Sequence, residues 1–140
     1  MPAVYVAFSA TQQEWGSDVG ISKDLYKVGV ADGTGEAAAK EAVDALNAEK
    51  VCGQADWQLA GTKDLEVESE DALIAMLADR QKMVDPNYYP KLKGVKGIFK
   101  VNVRNVEAHI VIKNTMEGKA SKVPKLKPKD IGTYLLDSLA

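Results

Sequence analysis

Segments with strand-like alternation and segments with helical periodicity follow one another along this chain, and that mixture restricts it to folds built from both. Apolar residues occupy every second position in four short segments, at residues 4–8, 25–30, 57–67 and 99–103. Turn-forming residues at 61–64 interrupt the third of these predicted strands. The first two strands are predicted to pair antiparallel.

Two helices are predicted between these strands. Residues 36–49 form an alanine-rich amphipathic segment, and Thr34 is its predicted N-cap. Ser69, followed by two acidic residues, predicts the start of a second helix, because a hydroxyl caps free amides and acids favour the positive end of the helix dipole. Its apolar face continues to Val84, and Pro86 marks the end.

The remaining segments are predicted as loops, a linker and further helix. Two polar stretches are predicted as loops: residues 11–24 contain two glycines, two serines and two aspartates, and residues 87–97 contain Pro90 and two glycines. Residues 106–117 carry capping residues at both ends and are predicted as a helix, although they also alternate like a strand. A lysine-rich linker at 119–128 leads to a terminal helix, whose apolar stripe consists of Ile131, Leu135 and Leu139.

These elements predict an α+β fold in which a small antiparallel sheet carries helices on one face. With 140 residues, 46% of them hydrophobic and 27% charged, the chain fits one globular domain. Residues 1–118 are predicted to form this domain. Residues 119–140 are predicted to form the linker and a short helix packed on it.

Several classes of protein are disfavoured by composition. No apolar stretch reaches the roughly 18 residues that a membrane span needs, and the first ten residues lack a basic signal-peptide region. We therefore expect a cytoplasmic location and no membrane partner. Cys52 is the only cysteine, which excludes an intramolecular disulfide and a thiolate metal cluster.

Charge is divided unequally along the chain. Residues 1–85 carry 7 Lys/Arg and 16 Asp/Glu, a net charge of −9, whereas residues 86–140 carry 11 and 4, a net charge of +7. A free basic surface attracts polyanions such as nucleic acid. The alternative is that the two halves neutralise each other within the fold or across a dimer.

The common motifs of catalytic sites are missing from the sequence. It contains no P-loop, no G-x-G-x-x-G, no G-x-S-x-G and no H-E-x-x-H. His109 is the only histidine and lies among apolar residues, which is typical of a packed or surface side chain. Cys52 has Lys50 as a neighbouring cation and is predicted to be a packed thiol rather than a nucleophile.

One arrangement of residues resembles a known family. Val4-Tyr5-Val6 is followed by Tyr26-Lys27-Val28-Gly29 and then by a helix. This resembles the paired strands that name the GIY-YIG nuclease superfamily, and the resemblance extends over residues 4–84.

The resemblance implies roles for particular residues. Tyr5 and Tyr26 would take the two tyrosine positions near the metal and the attacking water, and Gly29 the closing glycine. Lys40 is the nearest basic residue for the phosphate-binding position, and Glu70 is the preferred metal ligand. Three further acidic residues also fall in the expected stretch: Glu66, Glu68 and Asp71. Mg²⁺ or Mn²⁺ is implied as a cofactor only if the chain is a nuclease, and otherwise we expect none.

The chain also departs from the family pattern. The first motif lacks its glycine, the spacing from Tyr5 to Tyr26 is longer than usual, and no arginine occurs between Gly29 and Arg80. Lysine is a point charge and cannot bind a phosphate through two parallel hydrogen bonds as arginine does. These departures favour a non-catalytic relative.

The basic half of the chain combines cations with aromatic rings, as binding sites for single-stranded nucleic acid do. The candidate residues are Tyr88, Tyr89, Lys91, Lys93, Lys96, Lys100 and Arg104. The alternative is that the tyrosines cover the edge of the core and the lysines keep an edge strand in solution.

The sequence therefore predicts a non-catalytic, GIY-YIG-like domain that binds DNA or RNA through its basic half. The alternative function is a protein-interaction or homo-oligomerisation module, whose C-terminal helix docks on a partner or a second copy. The third is a metal-dependent nuclease of the GIY-YIG type.

Overall fold

A five-stranded antiparallel sheet forms the centre of the molecule. The computed structural model describes residues 1–21, 23–118 and 125–139. The strands are β1 (Ala3–Ser9), β2 (Leu25–Val30), β3 (Trp57–Asp64), β4 (Lys82–Met83) and β5 (Ile98–Lys100). Their order across the sheet is β3-β1-β2-β5-β4, with every neighbouring pair antiparallel. The predicted α+β class and the antiparallel pairing of the first two strands are confirmed.

Within the residues that the structure describes, five α-helices accompany the sheet. They are α1 (Ala10–Asp18), α2 (Gly35–Ala48), α3 (Glu70–Ala78), α4 (Val103–Met116) and α5 (Pro128–Asp137). Two short 3-10 turns, Val51–Gly53 and Pro90–Leu92, lie in the connections. Ser9 caps α1, since its hydroxyl oxygen accepts a hydrogen bond from the backbone N–H of Gln12. Ser69 caps α3 in the same way, by accepting from the backbone N–H of Ala72.

Helices cover both faces of the sheet, so the prediction of helices on one face was wrong. Val4 and Val6 pack into a core with α3, α4 and α5, and we call this side of the sheet the first face. Tyr5 and Ala7, on the same strand, pack into a separate core with α2, and we call that side the second face. Because successive side chains of a strand point in opposite directions, an apolar strand supplies both cores at once.

Three predicted boundaries are corrected by the structure. Residues 10–18 form α1 rather than a loop, and β3 runs unbroken through 61–64 with a bulge in its pairing with β1. Helix α3 ends at Ala78, before the predicted position, so Val84 lies beyond it. Residues 82–83 instead pair with β5 as the short edge strand.

The preferred helical assignment of residues 106–117 is confirmed, with an earlier start. Asn102 caps α4 by accepting the Arg104 amide at 2.9 Å, so the predicted strand at 99–103 is shortened to β5. The side chain of Asn102 satisfies one of the free amides of the first turn. Helix formation therefore begins where alternation alone predicts a strand.

Helix α5 lies directly on β3 and β1. Ile131, Leu135 and Leu139 are buried in the first-face core, as predicted for a docking helix. Gly132 permits the close approach, because a Cβ there would come within 3.0 Å of the backbone of Ala60. Residues 119–124 of the predicted linker lie outside the described residues.

Candidate functional site

Tyr5 and Tyr26, the two tyrosines of the family resemblance, lie on opposite faces of the sheet. Tyr5 pairs across the strands with Gly29 and belongs to the second-face core. Tyr26 belongs to the first-face core, where its ring centroid lies 5.9 Å from that of Phe8. Tyr26 and Gly29 are three residues apart, and an odd separation along a strand places two side chains on opposite faces. The structure therefore does not bring the two hydroxyls to one site.

Lys27 occupies the place beside Tyr5 that Tyr26 was predicted to fill. Its ammonium nitrogen lies 5.9 Å from the centroid of the Tyr5 ring. The side chain is only 4% exposed, which is unusual for a lysine. In the described part of the chain, no carboxylate lies within ion-pair distance of this nitrogen and no hydrogen bond to it is formed.

Tyr5 and Lys27 form the floor of a cavity of about 710 Å³, which we call the Lys27 pocket. Its walls come from α2, from the start of α3 and from the loop before β5. Exposed charged residues line its rim: Asp32, Glu41, Glu49, Glu70, Asp71 and Lys96. Cavities of this size are typical of small-molecule sites.

Glu70 and Lys40, the other residues implied by the resemblance, are separated. Glu70 lines the Lys27 pocket, and its Oε2 accepts the backbone N–H of Val30 at 2.9 Å. Lys40 lies on the exposed side of α2 and pairs with Glu36 at 3.5 Å, one helical turn earlier. Of the predicted catalytic and metal-binding residues, Tyr5 and Glu70 are therefore brought together, while Tyr26 and Lys40 are not.

Burial changes the acid–base behaviour of these side chains. Desolvation raises the pKa of Tyr5, and the negative charges of Glu70 and Glu49 raise it further. Burial raises the pKa of Tyr26 to about 12, although a hydrogen bond from Gln13 opposes that rise. The pKa of Lys27 is lowered by burial, and the charge of Glu70 opposes that shift. The phenols are therefore held protonated and the amine is shifted toward its neutral form.

The acidic residues of the pocket rim do not form a metal-binding cluster. Among the residues that the structure describes, no group of three or more His, Cys, Asp or Glu side chains is placed to hold a metal ion. Glu66, Glu68 and Asp71 therefore do not complete a metal-ligand set of three or more with Glu70 in the described part of the chain.

Tyr88 and Tyr89, the predicted nucleic-acid-binding aromatics, form a cluster with Trp15 and Lys91. We call these four residues the ring cluster. The ring centroids of Trp15 and Tyr89 are 5.9 Å apart, and those of Tyr88 and Tyr89 are 5.0 Å apart, both edge-to-face. The ammonium of Lys91 lies 5.6 Å from the centroid of the Trp15 ring. Tyr88 is 75% exposed, so one face of this cluster is open to solvent.

The predicted cations are divided between the two ends of β5. Lys96 precedes the strand and lies at the rim of the Lys27 pocket, with Lys93 close by in the same loop. Lys100 ends the strand and lines a second cavity of about 510 Å³. Four residues of extended chain span about 13 Å, so the cations form two groups rather than one continuous patch.

The second cavity, which we call the basic cavity, contains cations that sequence reasoning did not select. Arg80 and Lys82 line it together with Lys100, while Asp24 adds a negative charge. Lys82 and Lys100 are cross-strand partners in β4 and β5. Arg104 lies between the lining residues Val103 and Asn105 in the first turn of α4 but does not itself line the cavity. Arg80 and Lys82 belong to the acidic half, so a charge count along the sequence conceals them.

The predicted cations are not held in ion pairs by the acidic half. Lys91, Lys93, Lys96, Lys100 and Arg104 are exposed, and none forms an ion pair within the described ranges. The ion pairs found there involve Lys40, His109 and Lys113. Of the five, Lys96 shares the rim of the Lys27 pocket with carboxylates of the acidic half, and Lys100 lines the basic cavity with Asp24.

Lys27 and Trp15 are the residues that sequence reasoning missed or misplaced. Lys27 lies two residues before Gly29, the cross-strand partner of Tyr5, so Lys27 and Tyr5 lie on the same face of the sheet. The signal available in the sequence was a lysine inside an otherwise apolar strand. Trp15 lies in the stretch 11–24 that was predicted as a loop, but it projects from α1 toward Tyr89. Cys52 is buried, as predicted, and His109 contacts Asp137 at 3.0 Å.

The described residues contain no helix that is both long enough and apolar enough to pass through a bilayer. Comparisons with protein-family models, with curated proteins and with solved structures gave no significant match.

Proposed function

We propose that this chain is a non-catalytic, GIY-YIG-like domain that binds single-stranded DNA or RNA through the ring cluster. The observation that carries the proposal is the exposed ring of Tyr88, which stands beside Tyr89, Trp15 and the ammonium of Lys91. Stacking of a base on an aromatic ring contributes about 1–3 kcal/mol and tolerates any base, because every base has a π face.

The unpaired cations support the same function. Lys91, Lys93 and Lys96 follow one another in the loop that leads to β5, and each is exposed. Cations that are not engaged by carboxylates can release counterions from phosphates when a strand binds. The basic cavity at the far end of β5 adds a second place where the backbone of a longer strand can be held.

The separation of the predicted catalytic residues supports a non-catalytic role. A nuclease of the type implied by the resemblance needs both tyrosines, a phosphate-binding cation and a metal ligand at one place. Tyr26 lies on the other face of the sheet, and Lys40 is paired with Glu36 on the surface of α2. We expect no Mg²⁺- or Mn²⁺-dependent cleavage, and cleavage that disappears with Tyr26→Phe would contradict this part of the proposal.

The alternative function, a protein-interaction module, was based on the apolar stripe of the C-terminal helix. Ile131, Leu135 and Leu139 are buried against the chain's own sheet, so this stripe is not available to a partner. Sedimentation of the full chain at several concentrations tests the point directly. We expect no concentration-dependent change in mass that depends on α5.

Binding of a labelled single-stranded oligonucleotide, measured by fluorescence anisotropy at several salt concentrations, tests the proposal. Tyr88→Ala is expected to weaken binding by about 1–3 kcal/mol. Lys91→Gln is expected to reduce the slope of log affinity against log salt concentration by about the amount that one phosphate contact contributes. Lys40→Gln is the matched control, because Lys40 is also exposed but is paired with Glu36 on α2. No binding at low salt, or equal losses with all three variants, would overturn the proposal.

A further inference from the structure

The Lys27 pocket has a feature that the proposed nucleic-acid surface does not explain. The side chain of Lys27 forms part of its floor and is only 4% exposed, and in the described residues no hydrogen bond or ion pair is made by its nitrogen. Burying a charged ammonium without a partner is costly, so a buried lysine of this kind is rarely present for stability alone.

The surroundings of this amine disfavour its protonated form. Leu25 lies two residues before Lys27 on the same face of β2 and is buried in the second-face core, and burial is the main cause of the lowered pKa of Lys27. The titratable groups around it are Tyr5 on β1, Glu70 on α3 and the thiol of Cys52 in the turn after α2. A desolvated lysine with a reduced pKa is a nucleophile toward carbonyl carbon, unlike the protonated lysines on the surface.

The shape of the pocket leaves room for a ligand at that amine. Its walls are formed by small or short side chains of α2, among them Ala38, Ala42 and Ala45. The volume of about 710 Å³ lies within the range of small-molecule sites. The opening lies between α2 and the start of α3, so a ligand reaches the floor from solvent.

We propose that the Lys27 pocket binds an uncharged aldehyde or ketone and that Lys27 forms an imine with it. The amine nitrogen attacks the carbonyl carbon and the carbon–oxygen π bond opens to a carbinolamine. The carbinolamine then loses one water molecule, formed from its hydroxyl and a nitrogen-bound proton, to give the C=N bond. The Tyr5 hydroxyl lines the same pocket and supplies an O–H donor to the carbonyl oxygen.

The charge of the rim selects the class of carbonyl compound. Asp32, Glu41, Glu49, Glu70 and Asp71 contribute five negative formal charges and Lys96 one positive charge, so the lining has a net formal charge of −4 when the Lys27 amine is neutral. A ligand that carries a carboxylate or phosphate is repelled at this entrance, while a neutral ligand is not.

Reductive trapping tests the proposal on the full chain. The protein is incubated near pH 7 with propanal and cyanoborohydride, and the modified lysines are identified and timed by peptide mass spectrometry. Lys27 is expected to be alkylated at least about tenfold faster than exposed lysines such as Lys40 and Lys129, because burial lowers the pKa of Lys27 and favours its neutral, nucleophilic amine. Labelling of Lys27 that is no faster than that of these two would overturn the proposal.

Two further comparisons test whether the labelling of Lys27 depends on the shape and charge of the pocket as well as on the reactivity of the amine. Ala45→Phe narrows the pocket and is expected to slow labelling of Lys27 at least fivefold, whereas Ala48→Phe, on the same helix but outside the lining, leaves it unchanged. Ala45→Leu is the milder variant if phenylalanine disturbs folding. Glyoxylate, an anionic aldehyde, is expected to label Lys27 more slowly than propanal does. Equal rates for the two alanine positions, or faster labelling by glyoxylate, would contradict the assigned site and ligand.

Discussion

The two faces of the sheet are built from alternate residues of the same strands, yet they differ in chemistry. The first face buries apolar side chains against α3, α4 and α5, and Tyr26 is the titratable residue of that core. The second face buries Lys27 and Ser9 as well as apolar residues, and it opens into the Lys27 pocket. The first face therefore stabilises the fold, and the second carries the groups that can act on a ligand.

Unequal covering by helices explains the difference between the faces. Three helices close the first face, and α5 approaches closely because Gly132 lies on the backbone of Ala60. On the second face α2 packs against β1 and β3, while loops and short turns contribute Cys52 and Leu92. A face closed partly by loops leaves space for a cavity, and binding residues concentrate where loops meet a rigid scaffold.

The largest expected effect tests the first face as the source of stability. Leu135→Ala removes a side chain with no solvent exposure from the core between α5 and the sheet. We expect a loss of about 2–5 kcal/mol in the free energy of unfolding, from lost burial and the cavity left behind. Chemical denaturation measures it. Lys129→Ala, exposed on the same helix, is the control, and equal effects at both positions would contradict this role for α5.

The next effect tests whether the second face has a buried group that reduces stability. Lys27→Met keeps the length of the side chain and removes the buried amine, and we expect a gain of about 1–4 kcal/mol near pH 7, as when buried ionic groups are replaced by apolar ones. Because the pKa of Lys27 is lowered in the folded state, the unfolded chain binds more protons, and wild-type stability rises with pH toward about 10.4.

The difference between Lys27→Met and the wild type should therefore shrink as the pH is raised. Denaturation at pH 7, 8, 9 and 10 measures this trend. A difference that is constant over this range, or a variant less stable than the wild type at pH 7, would show that Lys27 is not a destabilising buried amine.

A smaller effect concerns the contact between Tyr5 and Gly29 on the second face. A Cβ at Gly29 would lie 2.9 Å from Cε1 of the Tyr5 ring, which is buried and cannot turn away. Gly29→Ala is expected to cost about 1–3 kcal/mol through overpacking. In a double-mutant cycle with Tyr5→Leu, the two changes should couple by more than about 0.5 kcal/mol. Additive effects would mean that the ring does not determine the need for glycine.

The smallest effect is spectroscopic and distinguishes Tyr26 on the first face from exposed phenols. Burial raises the pKa of Tyr26 to about 12, above its ordinary value of 10.0. The stability that this burial contributes is present below pH 10 and is lost as the pH rises toward 12. Absorbance at alkaline pH should show a late ionisation that Tyr26→Phe removes, and a titration unchanged by that substitution would contradict its burial.

Much of the fold could be predicted from periodicity and capping residues. The strands at 4–8 and 25–30, the helices α2, α3 and α5, and the helical form of residues 106–116 all follow from local patterns. Helix α1 could not be predicted in this way, because its apolar residues do not gather on one face and its glycine favours a loop. Ser9 and the packing of Trp15 on Tyr89 stabilise it instead.

The candidate site was less predictable, because it depends on which residues share a face. Tyr5 and Tyr26 lie on neighbouring strands, but the register Tyr5↔Gly29 assigns Lys27 to the pocket and Tyr26 to the opposite core. Arg80 and Lys82 approach Lys100 only through the pairing of β4 with β5. Strand register and long-range pairing are set by the whole sheet, and they cannot be read from the spacing of residues along the chain.

The two tryptophans offer the most direct test of the claim that the second-face ring cluster binds nucleic acid. Trp15 lies in that cluster, whereas the indole N–H of Trp57 is buried and donates to the Val51 carbonyl at 3.1 Å. A titration of ¹⁵N-labelled protein with a single-stranded oligonucleotide follows both indole signals in one spectrum. The Trp15 signal is expected to shift in proportion to binding while the Trp57 signal stays in place. A stationary Trp15 signal, with shifts instead in α3, α4 or α5, would contradict the account.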